Sequence, residues 1–477
     1  MKRVLFIAAL VFFLPYFLFS QHSEGKNTRI IILHTNDMHA KIDNLSKVAY
    51  LADSLRKMNP YVFLVAAGDN FTGNPVVDMV DDKGAPMIDL MNRCGFNISA
   101  IGNHEFDLGQ DFLNKRMSQA KFPFICCNVD ATGAVLKQPE PYTILKAGDL
   151  SLAFLGIIEL GENGLPDSHP AKLNGLSFSK GLDKAKEFSW LKKKYPILIG
   201  LTHLGIDTDI KLAQSMPELD VIIGGHSHTL IDTLMLVNNV LITQAGSSLK
   251  YIGKVVIDYS DNHIVSIRDE IIDLATIKKK DPEVQALIDK YNANPELQKL
   301  VGIAATAIKG NEELGAMMTD AITKQMSLDF AFQNSGGIRV PEIPAGNILL
   351  KDVYRLDPFG NEVIIYHLSK DEISSLIANS FNREKRIDLM VSGMTYSIKT
   401  NPDGTCKDVI MKDPAGKTLD PEKKYSVAMN SYMAASYKFD HHDPGQSAFI
   451  TTAQVLIDYL KHAGTVNYSG TRRTSVY

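Results

Sequence analysis

Between Arg29 and Ile223 the chain runs repeatedly through short apolar blocks: Ile30–Leu33, Tyr61–Ala66, Ile98–Ile101, Ile197–Leu201 and Val221–Ile223. Polar and apolar residues do not alternate inside them, as they would in a strand wetted on one face. Helix-like stretches separate the blocks. This pattern predicts an α/β domain built on a well-buried sheet. The texture changes near Thr276–Gly302, where Asp281-Pro282-Glu283 opens a charged, helix-like stretch that Asn292 and Asn294-Pro295 interrupt. It reads as a helical linker and hinge region between domains. Strands and helices mix again from residue 303, and Thr451–His462 has the pattern of a late amphipathic helix. The expected division is a leader at 1–20, a first domain at 28–275, a linker at 276–302 and a second domain at 303–477.

The N-terminus is set apart from the fold. Lys2 and Arg3 precede an apolar run from Val4 to Phe19, Ser20 is small enough for a cleavage site, and Gln21-His22-Ser23 turns polar. This reads as a secretory signal peptide. A membrane anchor is the alternative, for which the run is short. An exported chain is therefore expected, in the periplasm, at the cell surface or in the medium, with no stable membrane span after cleavage. The four cysteines, Cys94, Cys126, Cys127 and Cys406, form no C-x-x-C pair. They read as buried small hydrophobes, with one ordinary disulfide as the alternative in an exported protein.

Composition narrows the function classes. The 477 residues are 45% hydrophobic and 22% charged, which excludes a disordered chain or a mini-protein. At roughly 150 residues per domain, two or three domains are expected. Lys+Arg 50 against Asp+Glu 54 gives a net charge of -4, so no basic excess drives binding to a nucleic-acid polymer. A local phosphate site stays open.

The candidate chemistry lies at the ends of the apolar blocks. They are followed in turn by Asp37-Met38-His39, Gly68-Asp69-Asn70, Gly102-Asn103-His104-Glu105, Thr202-His203 and Gly225-His226-Ser227-His228. In open α/β sheets, sites assemble at the C-terminal ends of strands. Carboxylate, imidazole and amide oxygen suit borderline divalent cations such as zinc, manganese or iron. A carboxylate has two oxygens and can bridge two ions.

These blocks resemble the five motifs of the calcineurin-like metallophosphoesterases. The fuller strings Ile32-Leu33-His34-Thr35-Asn36-Asp37 and Gly102-Asn103-His104-Glu105-Phe106-Asp107 are similar to one branch, the secreted 5′-nucleotidases. Their relatives include UDP-sugar hydrolases and 2′,3′-cyclic-nucleotide phosphodiesterases. The resemblance implies an αββα-sandwich metallophosphoesterase domain joined by a helical linker to a mixed α/β C-terminal domain. It implies two divalent ions, zinc or manganese foremost. Asp37, His39, Asp69 and His228 would hold one, and Asp69, Asn103, His203 and His226 the other. It further implies in-line attack of a metal-bridging hydroxide on phosphorus, with His104 stabilising developing charge and Asp107 orienting it. Glu105 is given no role.

In the second half, Asn334-Ser335-Gly336-Gly337-Ile338-Arg339 resembles the nucleotide-binding motif of the 5′-nucleotidase C-terminal domain, with Asn334 and Arg339 contacting substrate. Asp357-Pro358-Phe359-Gly360-Asn361 resembles the block whose Phe stacks on the base, and the second stacking aromatic falls on Tyr432. The pattern then departs. Relatives carry a Gly-Gly-Asp-Gly stretch, whereas this chain has Ala435-Ser436-Tyr437-Lys438, with Lys438 at the acidic position. His441 and His442 read as a solvated loop, with a ligand role as the alternative.

The expected function is a secreted dimetal phosphohydrolase, most simply a 5′-nucleotidase acting on a small-molecule nucleotide. A 2′,3′-cyclic-nucleotide phosphodiesterase and a UDP-sugar pyrophosphatase share its phosphorus chemistry. A non-catalytic nucleotide or surface-ligand binding protein is the alternative from another class.

Overall fold

The structure is a computed structural model that describes residues 27–161 and 163–477. The expected leader at 1–20 lies outside the described residues. The first half holds two six-stranded sheets packed face to face. In the first, Thr28–Thr35, Val62–Ala66, Ile98–Ala100 and Phe124–Ile125 run parallel, and the antiparallel hairpin Tyr251–Ser260/His263–Asp273 extends its edge. In the second, Leu150–Ile158, Ile197–His203, Val221–Ile223 and Val240–Thr243 run parallel, with antiparallel edges at Tyr142–Ala147 and Met235–Val237.

The apolar blocks form these strands because both their faces are covered. Ile30, Ile32 and Val65 of the first sheet meet Ile197, Ile199 and Val221 of the second in a dry inner layer. Each such fully buried side chain contributes roughly 1.5–3 kcal/mol. Helices Leu45–Arg56, Ala85–Cys94 and Pro282–Asn292 cover the outer face of the first sheet. Gly181–Lys186 and Ile206–Ser215 cover that of the second. The layers are thus helix, sheet, sheet, helix. In the expected linker, the helix Pro282–Asn292 buries Val284 and Ile288 in the first half's core.

The second half is built on a five-stranded mixed sheet in the order Leu389–Ser392, Phe330–Asn334, Lys424–Asn430, Glu362–Ser369, Gln446–Thr451. Helices Gly310–Met326 and Thr452–Ala463 pack on one face. Lys370–Glu384 and a small sheet containing Thr395–Thr400 pack on the other. Cys94, Cys126 and Cys127 are buried free thiols, as the small-hydrophobe reading expects, whereas the free thiol Cys406 is only half-buried. Among the described residues no helix is long and apolar enough to cross a membrane.

Register explains how the site is assembled. Thr35 lies opposite Ala66, Ala66 opposite Ser99, and Ile158 opposite His203. The parallel strands therefore end nearly level, and the turns that follow all deliver side chains to one edge.

Candidate dimetal centre

Seven side chains converge at that edge. The imidazole Nε2 of His203 lies 3.1 Å from Asp69 Oδ2 and 3.9 Å from Asp37 Oδ1. His228 Nε2 lies 3.4 Å from Asp37 Oδ1 and 3.0 Å from His39 Nε2, which is in turn 3.9 Å from Asp69 Oδ2. The amide oxygen of Asn103 faces His203 Nε2 at 3.2 Å and His226 Nδ1 at 3.1 Å. Three overlapping groups have ligand atoms close enough to share an ion: Asp37–His39–His228, His39–Asp69–His104 and Asp37–Asp69–His203. Asp37, Asp69 and His203 are buried, while His228 is part-exposed.

The local backbone is bent to achieve this. Asp37, His39, Asp69, His226 and His228 all adopt positive φ, between 46° and 78°. Side-chain-bearing residues in that region cost of order 1–3 kcal/mol each and persist where surrounding structure imposes them. Gly68, at φ 87°, makes the tight turn before Asp69, and a Cβ there would stand 2.7 Å from His203 Nδ1.

Charge in the cluster is unbalanced without a cation. Burial disfavours an imidazolium at His203, but Asp69 and Asp37 outweigh it and push its pKa up to about 10. His104 behaves likewise: burial lowers it, and Asp107 and Asp69 raise it to about 9. Burial opposes ionisation of Asp69, yet the surrounding His203 and His104 hold its carboxyl well below the usual range. The buried carboxylates thus draw protons onto His203 and His104, while burial holds the imidazoles of His39 and His226 neutral. A pair of divalent ions fits this donor set and would replace those protons.

His104 lies beside the cluster. Its Nδ1 bonds Asp107 Oδ2 at 2.7 Å, and its Nε2 lies 3.9 Å from Asp69 Oδ2. Asp107 does not cap the following helix, whose N-cap is Gly109.

The second half reaches the same place. Arg339 Nη2 stands 3.1 Å from His39 Nε2, and its guanidinium lies over the Phe359 ring, 5.5 Å from its centroid. Phe359 is stacked on His104, with centroids 5.6 Å apart and planes at 24°. Tyr432 donates its hydroxyl to Asp167 of the first half and lies edge-on to Tyr437. Among the described residues no ring contact joins Phe359 to Tyr432. Asn334 stays inside the second half, accepting from Asn430 Nδ2 at 2.9 Å. A cleft of about 610 Å³ opens beside Tyr432, walled by Pro166 and Asp167 on one side and by Arg383, Tyr437 and Lys438 on the other. His442 Nδ1 bonds Glu372 at 2.8 Å, and neither it nor His441 belongs to a group able to hold an ion among the described residues.

Glu105 has a position that its motif did not reveal. Its carboxylate accepts from the backbone N–H groups of Asp69, Asn70 and Gly102, at 2.6–2.9 Å. It ties the Asp69 turn to the Asn103 turn. Burial and Asp69 push its pKa up to about 7. Asn36 is a second such residue, donating to Asp37 Oδ2 at 2.7 Å and to the Gly246 carbonyl at 2.6 Å.

Residues 30–230 match the calcineurin-like phosphoesterase family, and residues 296–439 match the 5′-nucleotidase C-terminal domain. The chain is 28% identical to a 5′-nucleotidase of Vibrio cholerae over 520 residues, covering 92% of each. It is 26% identical to the trifunctional nucleotide phosphoesterase protein YfkN of Bacillus subtilis, covering 91% of this chain and 34% of YfkN. The chain therefore spans about a third of that relative's length. Among solved structures, a 5′-nucleotidase precursor of Thermus thermophilus superposes with TM-score 0.84 at 24% identity, covering 94% of this chain and 99% of that one.

Proposed function

The chain belongs to the two-domain 5′-nucleotidase family, a calcineurin-like phosphoesterase domain followed by a 5′-nucleotidase C-terminal domain, and from that premise we propose that it is a metal-dependent nucleotide phosphohydrolase. In the simplest form of this reading it releases phosphate from nucleoside 5′-monophosphates. One observation carries it: Arg339 and Phe359 of the second half stand against His39 and His104 of the first. Groups suited to a phosphate and a base thus meet a cluster suited to divalent cations.

Asp37, His39, Asp69 and His228 would hold one ion, and Asp69, Asn103, His203 and His226 the other. Bound there, the ions supply an activated water and neutralise charge on the phosphoryl oxygens. Asp107 accepts a hydrogen bond from Nδ1–H of His104 and so aims Nε2 at the cluster. From that atom His104 donates to an oxygen on which charge develops. Arg339 offers forked N–H donors to the same group. The Phe359 ring, already near-parallel to an imidazole, presents a face on which a nucleobase can stack.

A non-catalytic binding role predicts a broken ligand set; all seven residue types are present, and Asp37, His39, Asp69, His203 and His228 fall in groups close enough to share an ion. Cyclic 2′,3′-nucleotides and UDP-sugars share the phosphorus chemistry and are separate arms of the test. Phosphate release from AMP and other 5′-monophosphates, ring opening of 2′,3′-cyclic AMP to the monophosphate, and formation of UMP and glucose 1-phosphate from UDP-glucose are measured with added zinc or manganese. Turnover on 5′-monophosphates supports the reading, and no turnover on any of them with either metal overturns it. Export rests on the leader-like segment 1–20, and N-terminal sequencing of the mature chain tests it.

A further inference from the structure

One dipeptide of the first half, Asp167-Ser168, touches three parts of the site at once. The Asp167 carbonyl accepts from Asn103 Nδ2 at 3.0 Å. An amide that gives its nitrogen to a carbonyl must turn its oxygen the other way. Here that oxygen faces His203 Nε2 and His226 Nδ1, at 3.2 and 3.1 Å. The Ser168 hydroxyl donates to Asp107 Oδ1 at 3.3 Å, and the other carboxylate oxygen holds His104 Nδ1 at 2.7 Å. The Asp167 carboxylate accepts from the hydroxyl of Tyr432, which belongs to the second half. The same stretch is tied back to the cluster through Glu159, whose N–H donates to the His203 carbonyl at 2.8 Å.

We propose that Asp167-Ser168 is a positioning element that aims Asn103 and Asp107, and that Tyr432 fixes it from across the cleft. Contact between the halves is thereby linked to the geometry of an ion site and of the His104–Asp107 pair. Neither residue lies in the strand-end blocks, and neither has a ligand atom in the ion cluster. They act through what they hold. Outer partners of this kind set ligand orientation, and losing one costs about 10- to 100-fold in metal affinity or activity. The inference rests on the phosphohydrolase reading only for its kinetic arm.

The test uses the full chain, first stripped of metal and titrated with zinc by calorimetry. Asp167→Gly keeps the carbonyl but frees the backbone and removes the anchor for Tyr432. It is expected to weaken zinc binding by about tenfold or more. Tyr432→Phe keeps the ring and is expected to weaken zinc in the same direction. Combined with Asp167→Gly it adds nothing further, because both break one contact. The kinetic arm uses AMP with zinc-loaded protein. Ser168→Ala lowers kcat about tenfold at unchanged KM, and Ser168→Thr, which restores a hydroxyl, recovers it. Parental zinc affinity in Asp167→Gly, additive losses in the double variant, or parental kcat in Ser168→Ala would overturn the proposal. A parent chain inert toward nucleotides counts against the phosphohydrolase reading alone, and the zinc arm then decides the positioning claim by itself.

Discussion

Nη2 of Arg339 stands 3.1 Å from Nε2 of His39, although 300 residues separate the two along the chain. The same Nη2 lies 3.2 Å from His39 Nδ1, so the guanidinium is set against the imidazole ring as a whole. Burial and Arg339 both hold the His39 imidazole well below its ordinary pKa, which disfavours a second positive charge beside the guanidinium. The second half thus brings a fixed positive charge to the edge of the cluster, where a phosphoryl group would carry its negative oxygens.

Arg339→Ala is expected to raise KM for a nucleotide and to lower kcat/KM by about 10- to 100-fold, the scale of losing a desolvated, charge-assisted contact of roughly 1.5–3 kcal/mol. Arg339→Lys restores charge but not the fork, and recovers only part of the loss. Steady-state kinetics with AMP check both.

Asp69→Asn removes a carboxylate that faces His39, His104 and His203 together. Turnover should fall by more than about 100-fold, beyond the usual loss from an outer partner. The circular dichroism spectrum should be unchanged, because Asp69 sits in the turn after Val62–Ala66, outside any strand or helix.

His104→Ala and Asp107→Asn are expected to lower kcat by about 10²- to 10⁴-fold while zinc affinity stays within a few-fold of the parent. Their combined loss should fall well short of the product of the single losses, since the pair acts as a unit through the 2.7 Å bond. Kinetics on the two single variants and the double variant measure this.

Much of this arrangement was legible in the chain. Short apolar blocks without alternation, separated by helix-like stretches, matched covered strands, and the polar residues that end them gather at one edge as open α/β sheets dispose their sites. What the sequence could not disclose depends on tertiary approach. Glu105 serves three N–H groups from two turns that meet only after the Asp69 and Asn103 strands pair with their neighbours. Positive φ at His39 and His226 runs against residue preference and is imposed by the fold. Tyr432 reaches Asp167 across 265 residues, so no local signal marks Asp167-Ser168. The stretch 435–438, where the family pattern fails, forms part of the cleft wall through Ser436, Tyr437 and Lys438.

Acid stability offers a check away from the metals. Glu372 closes a capping box with Ser369 at the start of Lys370–Glu384 and also bonds His442. Burial alone would raise its pKa, but the Ser369 N–H and His442 outweigh burial and hold it at about 2, against an ordinary 4.5. The folded pKa is depressed, so the carboxylate contributes its full stability above pH 4.5 and loses it as pH falls toward 2. Denaturant titrations across that window should show a smaller acid loss in Glu372→Gln than in the parent. An equal loss in both would assign the acid sensitivity elsewhere.

The proposed chemistry stands or falls on two cations sharing Asp69. Anomalous diffraction from zinc-grown crystals of the full chain locates them without reference to activity. Two ions are expected, one among Asp37, His39 and His228, the other among Asn103, His203 and His226, with Asp69 reaching both. A single ion, or none within reach of Asp69, would contradict it.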